Sequence, residues 1–348
     1  MLRTLTTNRM LLAAAVVLAA ASPAAAQQTA EQEANALVSD DQPAEQVTDE
    51  GLKWKLAPSL SFSFNDNRSV VGQPDGWAMT LDAHLPVDLG YRTGPHEIRG
   101  TFDAQAAFAR SAALSEFTKS KDHFGVSGDY LFHALEWFGP YVHFALDTAM
   151  FEGYDTRAND TTWHIAYRDG TTQDYGGRHL LVTDPFQPLT IRESAGAFAE
   201  AYKSDPFTLE VRVGFGGIHT MAAGQLVVND DAGTPEVEVK ELYSFDQAAV
   251  ELGVAMTGAF VEKKVTYDVG AVVAVPVVNR PENPDFTLGE LTNVDLHAIL
   301  SFKLLSWLSL DYTFKAIRQP QLVDAFQIQN NLLLTLSYTW SNETAASE

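Results

Sequence analysis

Apolar residues recur at every second position in twelve separate segments, and that period constrains the fold more than any other feature of the chain. Val265, Tyr267, Val269, Ala271, Val273 and Val275 form one such run; Leu308, Leu310, Tyr312 and Phe314 form another. A β-strand turns successive side chains to opposite faces, so each segment has one apolar face and one polar face. Many of the segments exceed the roughly 9–11 residues that a tilted strand needs to cross a bilayer, whereas strands of soluble sandwiches are usually shorter. The period predicts an all-β fold, a transmembrane antiparallel up-and-down β-barrel.

The segments lie near 54–64, 77–91, 96–109, 122–133, 137–150, 192–202, 206–217, 245–260, 264–277, 291–304, 307–317 and 326–340. Tight turns (92–95, 134–136, 203–205, 261–263, 305–306) alternate with longer polar loops (65–76, 110–121, 151–191, 218–244, 278–290, 318–325). Short periplasmic turns and longer external loops are the asymmetry of outer-membrane barrels. Twelve strands fit best, with ten or fourteen as alternatives; an even number leaves both chain ends on the periplasmic side. Aromatic residues sort to two levels. Trp54, Tyr91, Phe132, Trp137, Phe207, Phe260, Phe302, Trp307, Tyr338 and Trp340 fall near the turns, and Phe62, Phe64, Trp77, Phe108, Phe124, Phe215 and Phe326 near the loops. Two interfacial belts would place them so.

Four parts follow. Residues 1–26 read as a signal peptide, with Arg3 and Arg9 before the apolar run Met10–Ala21 and a small-residue cleavage site at Ala24-Ala25-Ala26. Residues 27–52 are acidic and lack aromatics, which predicts a disordered periplasmic extension; a short helix over Glu31–Val38 is the alternative. The barrel occupies 53–340, and 341–348 form a polar tail. The net charge of −22 argues against nucleic acid as a partner. Cysteine is absent, so no disulfide contributes.

The polar parity of each strand predicts the lumen lining: Asp82, His84, Asp88, Glu97, Arg99, Asp103, His143, Asp147, Glu210, Arg212, Glu251, Asp268, Asp295, His297, Asp311 and Lys315. Acids outnumber bases, and a water-filled lumen lined this way concentrates cations. The pairs Asp82/His84, Glu210/Arg212 and Asp295/His297 lie two apart on one face. Such spacing leaves them about 6–7 Å apart, which suits a charge ladder more than a catalytic dyad.

The favoured function is a passive channel or small-solute transporter with a cation-favouring lumen. A non-conducting structural or interaction barrel with a blocked lumen is the alternative. Third comes an outer-leaflet hydrolase, which needs an outward histidine beside a serine; the strand limits above place none there. In the 151–191 loop, His164, His179, Asp155, Asp169 and Asp174 are the candidates for a protease-like site. Asp155, Asp160, Asp169, Asp174 and Asp184 are hard oxygen donors suited to Ca²⁺, but without EF-hand spacing they read as solvated loop acids. Phe151, Tyr154, Trp163, Tyr167 and Tyr175 suggest that this loop folds into the mouth as a constriction. No cofactor is expected. The expected partners are outer-membrane lipid and small solutes or cations.

Two resemblances add to this reading. Leu334, Leu336, Tyr338 and Trp340 alternate in a segment that resembles the terminal strand of outer-membrane barrels, which implies recognition by the barrel assembly machinery; here the chain continues through Ser341 to Glu348. Lys121-Asp122-His123-Phe124, the Trp137 strand leading to Phe151-Glu152-Gly153-Tyr154, and Phe326 through Asn330 to Leu334 are similar to an uncharacterised, porin-like Gram-negative outer-membrane barrel family. That resemblance implies the fold and the location, and no particular activity.

Overall fold

The computed structural model describes residues 50–342, apart from 68–75, 112–113, 115, 205, 231–232, 282–285 and 322. The expected signal peptide, nearly all of the acidic extension with its alternative helix, and most of the tail lie outside the described residues. In chain order the first strands are β1 (Gly51–Leu56), β2 (Ser59–Asn67), β3 (Gly76–Thr93), β4 (His96–Arg110), β5 (Thr118–Phe132) and β6 (Phe138–Thr148). Next come β7 (Gly153–Ala166), β8 (Thr172–Thr183), β9 (Leu189–Ser204), β10 (Phe207–Met221), β11 (Leu226–Val228) and β12 (Val237–Glu241). The last are β13 (Phe245–Phe260), β14 (Val265–Arg280), β15 (Asn293–Leu305), β16 (Leu308–Gln319), β17 (Val323–Ser337) and β18 (Trp340–Ser341).

Twelve of these close a ring in the order β3-β2-β17-β16-β15-β14-β13-β10-β9-β6-β5-β4, with β4 returning to β3. Closure satisfies the backbone donors and acceptors between strands, which is what a bilayer demands of a strand-built span. β1 and β2 run along successive parts of β3 as one strand interrupted at Ala57-Pro58, where proline lacks an N–H to donate. The final strand is divided in the same way: β17 pairs with β2, and β18 with β1. Asn342 fastens this end. Its side chain accepts from the Trp54 N–H at 2.8 Å and donates to the Leu52 carbonyl at 2.7 Å.

One face of the ring is apolar and exposed, with Leu60, Phe62, Leu81, Leu85, Leu89, Val126, Val213, Val250, Leu252 and Val254 on it. The chain is therefore a transmembrane β-barrel with twelve strands. Exposed aromatics stand at both ends of this belt: Trp137, Phe260, Trp307 and Tyr338 near the short turns, Phe64, Phe215 and Phe326 near the long loops.

The 151–191 segment departs from its expected loop. It forms a hairpin, β7–β8, and β12 from the next long loop adds in parallel beside β7 to give a separate four-stranded sheet. Trp163, Ile165, Leu180, Val182, Val237 and Val239 form the core of that sheet. The expected aromatic constriction is thus corrected. Trp163 is spent on the core of the sheet, while Phe151, Tyr154 and Tyr175 are exposed. Asp155 is not a solvated acid either. It is fully buried, accepting from Arg157 Nε at 2.8 Å and Trp163 Nε1 at 2.6 Å.

Candidate functional site in the barrel lumen

Residues opposite one another in adjacent strands share a face, so the register carries an assignment around the ring. Asp82 lies opposite Ala107, Asp88 opposite Thr101, Gly214 opposite Glu251, and Asp268 opposite Ile299. His297 lies opposite Lys315, and Ser301 opposite Asp311. The polar parity set from Asp82 to Lys315 falls on this one face, away from the apolar belt. That the face is the interior follows from Arg99 on β4, which reaches Glu210 on β10 at 3.0 Å although β5, β6 and β9 lie between them in the ring.

This chord is the centre of an alternating ladder. His133 Nε2 meets Glu97 at 2.7 Å, Arg99 Nε donates to Glu97 at 2.6 Å, and Arg212 Nε donates to Glu210 at 2.6 Å. Arg212 then spans to Asp129 on β5 through two bonds of 2.8 and 3.2 Å, and His143 Nδ1 meets Asp129 at 2.8 Å. Long side chains close the two-residue spacing that backbone geometry leaves open. Arg99 and Glu97 are almost wholly inaccessible, and Leu131, Tyr141 and Phe198 pack as an apolar cluster in the same wall. Glycine makes room there: a Cβ at Gly214 would stand 2.6 Å from the Tyr141 hydroxyl. Buried charges persist only when each is met by an opposite charge and hydrogen bonds, as in this ladder.

A second chain crosses β3 to β6. His84 and His123 both meet Asp103, the latter at 3.0 Å, and His123 Nε2 meets Asp147 at 3.1 Å. Asp82 accepts from Gln105 at 2.7 Å. On the far side His297 Nε2 meets Asp268 at 3.3 Å, with its ring over Gly270, where a side chain would collide. Each histidine turns to a neighbouring strand. Asp88 pairs with Lys55 at 3.7 Å, and Asp311 accepts from Ser309 at 2.9 Å.

Between the two sides lies a cavity of about 120 Å³ lined by His143, Glu210, Arg212, Glu251, Asp295 and His297 among others. Ile218 also lines it and packs with Ala222, Leu242 and Phe245 in an apolar cluster. His123, Asp129 and His133 were missed as lining residues. Their signal was present: Gly125, Ser127 and Asp129 alternate with Phe124, Val126 and Tyr130 in plain parity.

β10 continues to Met221, beyond the limit expected at 217, and this extra length carries His219 on the outward face. It meets Glu193 at 2.9 Å and Asp246 at 2.6 Å. Among the described residues it has no serine partner, so the hydrolase constellation is not assembled. In the outer segments His164 meets Asp174 at 2.7 Å. Thr171 bonds hold the Asp169 carboxyl below its usual range, and the Thr287 N–H does the same for Glu290. Among the described residues, no group of three or more histidine or carboxylate side chains is arranged to hold a metal ion.

No family model matches the chain, and no curated protein matches its sequence. Solved structures similar to it include an outer membrane channel from Pseudomonas putida, at 11% identity and TM-score 0.38 over 87% of this chain and 99% of that one. The translocator domain of the autotransporter NalP from Neisseria meningitidis is similar at 10% identity and TM-score 0.36, covering 91% and 96%. The beta domain of a Bordetella autotransporter follows at 12% and 0.34, covering 84% and 99%. The barrel assignment rests on the closed ring and its apolar exterior, independently of these likenesses.

Proposed function

We propose that this chain is an outer-membrane channel for small solutes, and that its conduit runs through the interior cavity with Glu251 and Asp295 as the cation-favouring element. The carrying observation is the cavity itself, which lies inside a closed ring and has carboxylates in its wall. A low-dielectric wall focuses the field of such groups, raising the local concentration of cations. The short turns lie on the periplasmic side in this reading, and the barrel assembly machinery recognises the Leu334–Trp340 strand.

The Arg99–Glu210 chord supports the second reading, a non-conducting barrel, because it fills cross-section that a wide pore would leave open. The proposed conduit therefore passes beside the ladder, along β13 to β16. In a KCl gradient across a planar bilayer, the wild-type reversal potential should lie on the potassium side of zero. Replacing Asp268→Asn and Asp295→Asn together should move it toward zero. An unchanged reversal potential would exclude these residues from the conduit.

A further inference from the structure

A carboxylate stands on the lipid side of the barrel and is nonetheless fully inaccessible. Asp122 lies opposite Ala106, Ala106 opposite Ala83, and Ala83 opposite Leu60, so it shares the apolar outer face and not the lumen. Lys119, opposite Phe108, is on that face too. An ionised group there is costly unless it is paired and hydrogen-bonded. Asp122 accepts from the Met150 and Phe151 N–H groups at 2.9 and 2.8 Å and from Lys119 Nζ at 2.9 Å. Lys119 also donates to the Phe151 carbonyl at 3.0 Å. These bonds pin Met150 and Phe151, just past the end of β6, to the exterior of β5.

The pinned turn roofs one end of a groove of about 630 Å³ on the outer wall, and Trp307 and Tyr338 border the other end. The register gives its course. Leu308, Leu336, Leu60, Ala83, Ala106 and Asp122 face one another in succession across neighbouring strands from β16 to β5. This row starts at the first residue of β16, beside a short turn, and ends near the start of β5, beside a long loop. It therefore climbs across the wall, over a path of roughly 24 Å at the usual strand spacing. Ala83, Ala104 and Ala106 line the groove and keep its floor below the larger side chains around it.

We infer that this groove holds one acyl chain of an outer-leaflet lipid, entering beneath Phe151 and lying across β4, β3, β2 and β17. The apolar exterior borders the bilayer, so the groove is continuous with a lipid interface and meets lipid before any other occupant. Lipid tails are as apolar as leucine, so retention comes from packing and not from exclusion of water. A convex wall touches a chain on one side, whereas a recessed floor under a roof touches it on several. The entrance has matching chemistry. Tyr154 and Leu181, both exposed, face each other at the base of the β7–β8 hairpin, and exposed Phe186 donates its N–H to the Ala149 carbonyl at 2.8 Å. With Phe151 they set apolar side chains where the chain leaves the long-loop end of the barrel. The inference needs only the barrel in its bilayer and holds whether or not the lumen conducts.

The test takes the full chain from vesicles of palmitoyl-oleoyl phosphatidylethanolamine into mild detergent and records its native mass spectrum. Wild type should keep one phospholipid per barrel through washes that strip the rest. Ala104→Phe with Ala106→Phe should lower the lipid-bearing fraction about tenfold, because the added rings take the space and its packing contacts. Phe151→Ser, which removes the roof from an exposed position, should lower it severalfold, and Val213→Phe elsewhere on the belt should match wild type. A phospholipid with a diazirine in its acyl chain should label wild-type peptides containing Leu60, Leu85 or Phe151 ahead of those containing Val213 or Val250. Equal retention by wild type and the filled variant overturns the site, and so does labelling spread evenly around the belt. A lipid-free dimer joined through this wall would overturn it as well, making the groove a seat for a second copy. Should the filled variant lack the heat-dependent gel shift of a folded barrel, Phe151→Ser and the wild-type labelling decide.

Discussion

Arg99→Ala is expected to destabilise the folded barrel by about 3–5 kcal/mol, because removing one cation from a buried ion network leaves an excess of buried negative charge. Glu97 and Glu210 keep His133 and Arg212 as partners but lose the guanidinium that joins them through bonds of 2.6 and 3.0 Å, and neither carboxylate has solvent to turn to. Denaturant unfolding in detergent, followed by tryptophan fluorescence and by the heat-dependent shift in gel mobility, measures the loss. Replacing the set together, with Glu97→Gln, Arg99→Met and Glu210→Gln, should cost much less, since no charge is then left buried alone. An Arg99→Ala barrel within about 0.5 kcal/mol of wild type would mean that water already reaches the ladder.

Asp155→Ala should act as strongly but in a different place. Asp155 is the acceptor for both Arg157 and the buried Trp163 indole, so its removal leaves a guanidinium and an N–H without it inside the four-stranded sheet. Losing this buried acceptor is expected to cost about 3–5 kcal/mol, felt by that sheet rather than by the ring. Limited proteolysis should cut within 153–183 and 226–241 while the barrel keeps its gel mobility shift. Asp155→Asn keeps an acceptor for Trp163 and should fall between. If proteolysis of Asp155→Ala matches wild type, the sheet does not depend on this cluster.

The ring was legible because its determinants are local. Parity, turn length and aromatic placement act within one strand or one hairpin, so the limits expected for β4, β13 and β16 fall close to those observed. What escaped depends on partners far apart in sequence. β12 adds to β7 across some seventy residues, and alternation in the short Val237–Glu241 segment gives no hint of where it docks. Asp155 reads as an ordinary loop acid until that sheet covers it. His219 was lost through a strand end set too early at Gly217. In the lumen, parity names the candidates but not their pairings. Glu210 and Arg212 bond as neighbours, whereas His297 reaches Asp268 on the next strand, where Gly270 leaves space for its ring.

The conduit is tested most directly by single-channel recording from the full chain carrying Glu251→Cys, with a charged thiol reagent added during the record. The expected result is discrete unitary current that steps to a new level as the reagent reacts, because residue 251 lines the interior cavity. Absence of unitary current at any voltage or salt, in this variant and in wild type, would contradict the channel. Current that is unchanged after labelling confirmed by mass would place the conduit elsewhere.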